Sequence, residues 1–281
     1  MAGDNLKEIN LEAAIEESLL TEGGYERGDA KAFNAVNALD EQTLLKFIQT
    51  SQPKAWKKYT LIYPANPDQC FIDRVCKVIR ERGLLDVLRK GFKDRGIEFK
   101  LMFKRPTNTL NPDLITQYNQ NILQCMRQVH HSVSRPNDSV DIMLLLNGIP
   151  VVSMELKNQF TGQDVTNAID QYKFDRSGAD AAFEFKRRVL VHFAVDLYNV
   201  FMTTKLNGAK TFFLPFNQGS NGAGNVGGRG NPANLNGFTT DYLWKNILQR
   251  DRLLEIIEKY IHLEVIRDKK TKKVKNDNKK R

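Results

Sequence analysis

The alternation of apolar and polar positions is clearest at residues 140–157, VDIMLLLNGIPVVSMELK. Two apolar runs rich in β-branched residues stand on either side of Asn147 and Gly148, a pair that favours a tight turn. This pattern predicts a β-hairpin. Similar patterns predict strands at 97–103, 189–195, 200–203 and 211–214, and favour a strand at 122–129, where a helix also fits the spacing.

Helical spacing of apolar residues marks the segments around the hairpin. An apolar stripe runs from Leu11 to Leu19, behind the capping residue Asn10 and ahead of two glycines. A helix is also predicted directly after the hairpin, ending near position 175, with Thr161 and Asp164 as its capping box. Further helices are predicted at 40–49, 67–82 and 244–260.

Residues 217–237 interrupt these patterns with seven glycines and six asparagines in 21 residues. Such a run is too long for an ordinary connection between two elements. It predicts either a functional loop or a disordered one. Its glycines lack the spacing and the Lys-Ser/Thr pair of a phosphate-binding loop, so we expect no nucleotide here.

Three residues of the hairpin region carry the side chains needed for metal-assisted hydrolysis of a phosphodiester: Asp141, Glu155 and Lys157. Two carboxylates suffice for Mg²⁺, which takes oxygen ligands and keeps several of its waters. A lysine ammonium beside the metal orients the attacking water or helps to deprotonate it. Glu155 and Lys157 lie two residues apart on one strand, so they share a face of the sheet.

The length of the turn decides whether Asp141 shares that face. A two-residue Asn-Gly turn would place Asp141 and Glu155 on opposite faces, whereas a three-residue loop ending at Ile149 would place them opposite each other. The longer loop would also collect seven large apolar residues on the reverse face: Val140, Ile142, Leu144, Leu146, Val152, Met154 and Leu156. We therefore predict the three-residue loop.

The spacing of the three candidate residues is loose. By itself it favours another interpretation, in which they are polar residues on the outer face of an amphipathic hairpin. Two observations favour a site instead. An acid on an otherwise apolar strand is costly to bury without a partner, and the predicted helix at Thr161 follows the Glu-x-Lys strand closely enough to flank a site.

Four segments resemble one protein family: SVDIMLLLNGIPVVSMELKN (139–158), AIDQYKFDR (168–176), the run that begins FFLPFNQG (212–238), and the first helix with its GGY end. The arrangement is similar to the PD-(D/E)xK nuclease superfamily. In particular it resembles the N-terminal nuclease domain of the R (HsdR) motor subunit of type I restriction enzymes. The resemblance covers nearly the whole chain and implies an α/β, restriction-endonuclease-like fold, with a mixed central β-sheet flanked by helices.

The resemblance also implies roles for individual residues. The counterparts of Asp141 and Glu155 bind Mg²⁺ in that family, and all three counterparts, including that of Lys157, are catalytic. An acid on the first helix, best matched here by Glu16, lies near the metal. A solvated helix face explains Glu16 about as well.

Gln171 and Tyr172 match the helix that follows the catalytic strand in the family. They are adjacent here, whereas related recombination nucleases have Gln-x-x-x-Tyr. For Tyr172, a contact with the DNA backbone and simple helix packing are both open. A second departure is Val140, which stands in place of the proline of the superfamily motif, a common change there.

The net charge of +9 is poor evidence for DNA binding by the folded part, because residues 267–281 carry +7 of it and leave +2 for residues 1–266. A DNA site on the folded part must therefore be a local cleft. The three cysteines lack disulfide or zinc spacing, and the N-terminal segment lacks the pattern of a signal peptide. We expect a cytoplasmic protein without a membrane span.

These observations predict an endonuclease domain at 1–266 that cleaves double-stranded DNA with Mg²⁺, and a basic linker at 267–281. The resemblance implies that the linker leads to an ATP-driven translocase outside these 281 residues, with ATP bound only there. It also implies methyltransferase and specificity subunits as partners. The main alternative is a non-catalytic module that docks DNA or the motor and keeps the acids as remnants, and a nuclease for RNA or structured DNA would use the same site.

Overall fold

The computed structural model describes residues 2–108, 110–157 and 162–263, with side chains from Leu11 onwards. The strands in these ranges are β1 (Glu26–Arg27), β2 (Phe33–Asn34), β3 (Leu39–Asp40), β4 (Phe92–Asp94), β5 (Ile97–Phe99), β6 (Leu123–His130), β7 (Ser139–Leu146), β8 (Ile149–Leu156), β9 (Val191–Val195), β10 (Val200–Thr203) and β11 (Leu214–Pro215). The α-helices are α1 (Ala2–Thr21), α2 (Glu41–Ser51), α3 (Pro53–Ile62), α4 (Pro67–Arg82), α5 (Leu84–Lys90), α6 (Pro112–Asn119), α7 (Val165–Asp170) and α8 (Arg250–Glu255). A 3-10 turn lies at Ala30–Ala32, and π-helical turns lie at Gln171–Asp175, Leu243–Ile247 and Ile256–Tyr260.

Seven strands form the central sheet in the order β1-β6-β7-β8-β9-β10-β11. The β1–β6 and β8–β9 pairs are parallel and the other four neighbouring pairs are antiparallel, so the sheet is mixed. Residues of α1, α2 and α4 pack on one face, and residues of α7 and the turn after it pack on the other. The α/β, restriction-endonuclease-like fold expected from the sequence is confirmed.

Several predicted elements have the expected position. The helix at 67–82 and the strand at 200–203 have the predicted bounds, and the ambiguous segment at 122–129 is strand β6. The predicted strand at 211–214 shrinks to Leu214–Pro215, and the predicted helix at 244–260 is divided between α8 and two π-helical turns. Local patterns therefore located these elements but did not predict the shortened strand or the π-helical turns.

The helix after the hairpin begins later than its predicted capping box. Asp164 is the residue before the first turn, its side chain accepts a hydrogen bond from the Thr166 amide, and Asn167 completes the box. Asp164 thus has the role predicted for Thr161, which lies outside the described residues. The helix continues through its π-helical turn to Asp175, as expected.

The β7–β8 hairpin has a two-residue turn, so the predicted three-residue loop is wrong. Asn147 and Gly148 both have positive φ, at 52° and 79°, and Leu146 pairs directly with Ile149. The register then shifts by one residue at a β-bulge, after which Ile142 pairs with Met154. Continuing this register places position 141 opposite 155, because the bulge adds the residue that the turn does not supply.

Contacts from distant parts of the chain hold this turn. The Asn147 side chain is buried, accepts a hydrogen bond from the Ile122 amide at 2.7 Å and donates one to the Leu101 carbonyl at 2.8 Å. A Cβ atom at Gly148 would collide with the Asp40 carbonyl oxygen. Turn geometry is therefore selected by tertiary packing as well as by the favourable Asn-Gly pair.

Both faces of the hairpin pack against a core, which argues against the alternative in which the candidate residues lie on a solvated outer face. Ile142 and Met154 belong to the core on the α1 side, and Met143 and Leu145 belong to the core on the α7 side. Ser153 and Glu155 of β8 therefore lie in the interior, and Asp141 of β7 is partly buried. Among the described residues, no helix is long and apolar enough to cross a membrane.

Candidate active site

The three predicted site residues meet at the open end of the hairpin. Asp141 is half-buried, and its Oδ2 accepts a hydrogen bond from the Leu156 amide at 2.7 Å, which ties it to the strand of Glu155. Lys157 follows β8 directly, and its amide donates to the Val195 carbonyl at 2.8 Å. The Lys157 ammonium lies close enough to Glu155 to lower the pKa of that carboxyl, so charges of both signs converge here.

Glu155 is the most buried acid of the group, with no exposed surface. Its Oε1 accepts a hydrogen bond, whereas its Oε2 is buried without a hydrogen-bond partner among the described residues. Burial, together with the neighbouring Asp141 carboxylate, raises the pKa of Glu155 to about 8, against the opposing effect of nearby cations. A buried carboxylate oxygen without a donor, beside a second carboxylate, is an arrangement that a cation stabilises.

Arg176 is the partner of Glu155, and the sequence reasoning did not single it out. Its side chain is 4% exposed, and its Nε lies 2.7 Å from Glu155 Oε1. Its Nη2 donates to the Ser139 carbonyl at 2.6 Å, and its Nη1 is 3.9 Å from Asp138. The signal was present, since Arg176 ends the AIDQYKFDR segment and a buried acid requires a cationic or hydrogen-bonding partner.

Comparison with known proteins identifies the family of the chain. The family model described as type I restriction enzyme R protein N terminus matches residues 6–211. The chain belongs to this family. The matched residues include α7, the whole β7–β8 hairpin and Arg176. No curated protein matches the chain in a search of such proteins.

The donor set of this R-protein N-terminal region fits Mg²⁺. Asp141 and Glu155 offer carboxylate oxygens, and Glu155 Oε2 lacks a hydrogen-bond donor in the described structure. Within the described ranges, no group of three or more His, Cys, Asp or Glu side chains is arranged to hold a metal ion. A pair of carboxylates is nevertheless sufficient for Mg²⁺, which retains several waters, whereas a structural zinc site requires four ligands.

The raised pKa of Glu155 predicts a dependence of stability on pH. Because the folded protein binds this proton more tightly than the unfolded chain does, the stabilising contribution is complete below pH 4.5 and is lost as the pH rises to about 8. In the metal-free protein, the free energy of unfolding is therefore expected to fall over this range. Urea unfolding in EDTA at a series of pH values measures the slope.

The Glu155→Gln variant is the matched control for that measurement, since it keeps the shape of the side chain and removes the titration. Subtracting its slope also removes the contribution of other groups, such as the buried His131, whose pKa burial lowers to about 4. Mg²⁺ is expected to stabilise the wild type more at pH 8 than at pH 5, since it binds the ionised carboxylate. Equal pH slopes for the variant and the wild type would contradict the assignment.

Glu12 and Glu16 of α1 are buried, so the solvated-face interpretation of Glu16 is wrong. The Arg127 guanidinium lies 2.7 Å from Glu12 and 3.3 Å from Glu16. Gln128 donates to Glu12 Oε2 at 3.2 Å and to Asp141 Oδ1 at 3.3 Å. Glu12 is therefore the α1 acid that shares a hydrogen-bond donor with Asp141. The resemblance singled out Glu16, whereas helical spacing alone places both acids on one face and does not distinguish them.

Tyr172 is fully buried, and the structure favours packing over a DNA contact for this residue. Its hydroxyl lies 2.8 Å from Ser153 Oγ, which in turn lies 2.8 Å from His192 Nδ1. Its ring packs near Phe183. Gln171 is half-buried, and its Oε1 has no hydrogen-bond partner among the described residues. Tyr172 therefore supports strand β8 through Ser153, which lies on the same face of the strand as Glu155.

Proposed function

We propose that this R-protein N-terminal region is a nuclease domain that hydrolyses phosphodiester bonds of DNA with Mg²⁺. One observation carries the proposal: Asp141, Lys157 and the fully buried Glu155 converge at one end of the hairpin, where Glu155 Oε2 lacks a hydrogen-bond partner among the described residues. A non-catalytic module has no need for this arrangement, because burying Glu155 beside a second, half-buried acid is costly. The family match supports the same conclusion.

In this proposal Asp141 and Glu155 hold Mg²⁺. The bound metal would neutralise the phosphate and lower the pKa of an attacking water. The Leu156 amide fixes the orientation of the Asp141 carboxylate, and Arg176 fixes one oxygen of Glu155, whereas Oε2 has no hydrogen-bond partner among the described residues. Lys157 orients the attacking water or takes its proton, since it follows the strand that carries Glu155 and lies beside the two acids.

We further propose that the domain acts within a type I restriction complex, in which other parts hold the duplex. Residues 1–266 carry a net charge of only +2, whereas tight non-specific binding requires several phosphates to be neutralised. An ATP-driven translocase, a methyltransferase and a specificity subunit would supply that capture and raise the effective concentration of DNA at the site. Residues 267–281, proposed as a basic linker to the translocase, lie outside the described residues.

The proposal is tested by cleavage of supercoiled plasmid with the complete R protein assembled with its partner subunits and ATP. We expect nicking and linearisation in Mg²⁺ or Mn²⁺, and none in EDTA, because the two acids need a cation to act on a phosphate. Duplex DNA, single-stranded DNA and RNA are compared in parallel, with preference expected for the duplex. Cleavage in EDTA, or translocation and ATP hydrolysis without any metal-dependent cleavage, would show that the domain is not the nuclease.

A further inference from the structure

The glycine-rich segment forms a hydrogen-bonded loop that projects from the protein. Backbone amides of Gly219 and Ser220 donate to the carbonyls of Gly230 and Gly228, so the two sides of the loop run beside each other. The tip between them is exposed, and the Val226 side chain retains 98% of its surface. An apolar side chain displayed in this way contributes nothing to the core, so the loop is not explained by folding stability.

The root of the loop lies on the same edge of the sheet as the candidate active site. Asn231 Nδ2 donates to the Tyr198 carbonyl at 2.8 Å, and Asn217 Nδ2 donates to Asn199 Oδ1 at 3.0 Å. Both partners belong to the turn after β9. The last residue of β9 pairs with Leu156, the residue between Glu155 and Lys157. The loop therefore begins at the end of the strands where the site residues converge.

The composition of this segment suits a polyanion. Residues 212–238 contain no Asp or Glu, although the chain has 33 acids in 281 residues and about three would be expected in such a stretch. The charged residue of the loop is Arg229, which is exposed and makes no ion pair with any residue that the structure describes. Gly222 and Gly224 have positive φ, a conformation that lets backbone amides approach a phosphate closely.

We propose that residues 217–231 form a DNA-contacting loop that binds the sugar–phosphate backbone of the duplex beside the active site. Arg229 neutralises a phosphate, and the acid-free, side-chain-poor loop lets its amides lie against the backbone without repulsion. The inference rests on the proposed function for the identity of the substrate. It adds a residue-level assignment of how the domain holds that substrate, which the site residues do not provide.

The test measures binding of a fluorescently labelled DNA duplex by anisotropy, in EDTA so that no cleavage occurs, over a series of low salt concentrations. Arg229→Glu is compared with Lys58→Glu, an identical charge change at an exposed position of α3. We expect Arg229→Glu to weaken binding roughly tenfold and to reduce the slope of log affinity against log salt by about one. The Lys58→Glu control is expected to change affinity less than about twofold. Replacing residues 221–227 by two glycines is expected to weaken binding by a similar factor.

Unfolding by urea shows whether the variants keep the fold, and Mn²⁺ affinity, measured by calorimetry, is expected to be unchanged in both loop variants. Duplex affinity equal to that of the Lys58→Glu control in both loop variants would overturn the proposal and point to a protein partner for the loop. Absence of wild-type binding at the lowest salt would overturn it as well. Failure of the proposed function is distinguishable, since it would appear as cleavage retained in Asp141→Ala, whatever the loop variants do.

Discussion

Cleavage by the assembled enzyme is expected to fall at least 10²-fold to 10³-fold, roughly, in either Asp141→Ala or Glu155→Gln. Each change removes one of the two carboxylates proposed to hold the metal, which acts where negative charge develops on the phosphate. Glutamine is the informative replacement for Glu155, because it keeps a hydrogen-bond acceptor for Arg176 while it removes the charge. Plasmid linearisation under conditions of ongoing ATP hydrolysis measures the effect.

The matched control is Glu184→Gln, the same chemical change at a partly exposed acid that pairs with Arg187. It is expected to leave cleavage unchanged. DNA binding and ATP hydrolysis are expected to persist in all of these variants, because neither depends on the metal at this site. Lys157→Ala is expected to reduce cleavage by a similar factor. A partly active Lys157→Ala variant would show that Lys157 only orients the water. Normal cleavage by Asp141→Ala or Glu155→Gln would refute the assignment of the site.

The second large effect is on stability: Arg176→Ala is expected to lower the free energy of unfolding by about 3–5 kcal/mol. Removing this side chain leaves the fully buried Glu155 with no cation hydrogen-bonded to it among the described residues. It also removes the hydrogen bond that Arg176 donates to the Ser139 carbonyl. Denaturant unfolding near pH 8 is the measurement. The loss is expected to be smaller at pH 5, where Glu155, with its pKa raised by burial, is neutral.

Two comparisons separate the ion pair from general damage. Arg135→Ala removes a more exposed arginine that pairs with Asp138, and it is expected to cost no more than about 1 kcal/mol. Combining Arg176→Ala with Glu155→Gln is expected to recover part of the loss, because the buried charge is removed together with its partner. A double variant whose loss equals the sum of the two single losses would show that the residues do not stabilise each other.

Local signals in the sequence were sufficient for many elements. Helix α4 begins at Pro67 and ends before Gly83, residues that favour those positions, and an apolar stripe runs between them. The β7–β8 hairpin follows from two apolar runs and an Asn-Gly pair, and the facing of Asp141 and Glu155 follows from sorting apolar side chains onto one face. These features depend on residues within one or two elements, so periodicity and turn chemistry detect them.

Tertiary structure decided how that facing is achieved. If the turn alone set the register, Asp141 could face Glu155 only across a loop with an odd number of residues. The protein instead combines a two-residue turn with a β-bulge. The turn is held by hydrogen bonds from Asn147 to Ile122 and Leu101 and by the close approach of Asp40 to Gly148. None of these partners is near the hairpin in the sequence. A rule based on the hairpin alone therefore predicted the right register from the wrong loop.

In the candidate site, too, the sequence predicted some features and only the tertiary structure decided others. The types and spacing of Asp141, Glu155 and Lys157 determined, without a structure, which chemistry to expect, because metal binding requires specific functional groups. The sequence did not show that Glu155 is fully buried, that Arg176 is its partner, or that Glu12 shares a donor with Asp141. Burial, pairing and the pKa of a side chain are properties of its surroundings, and segments far apart in the chain supply those surroundings only when the protein is folded.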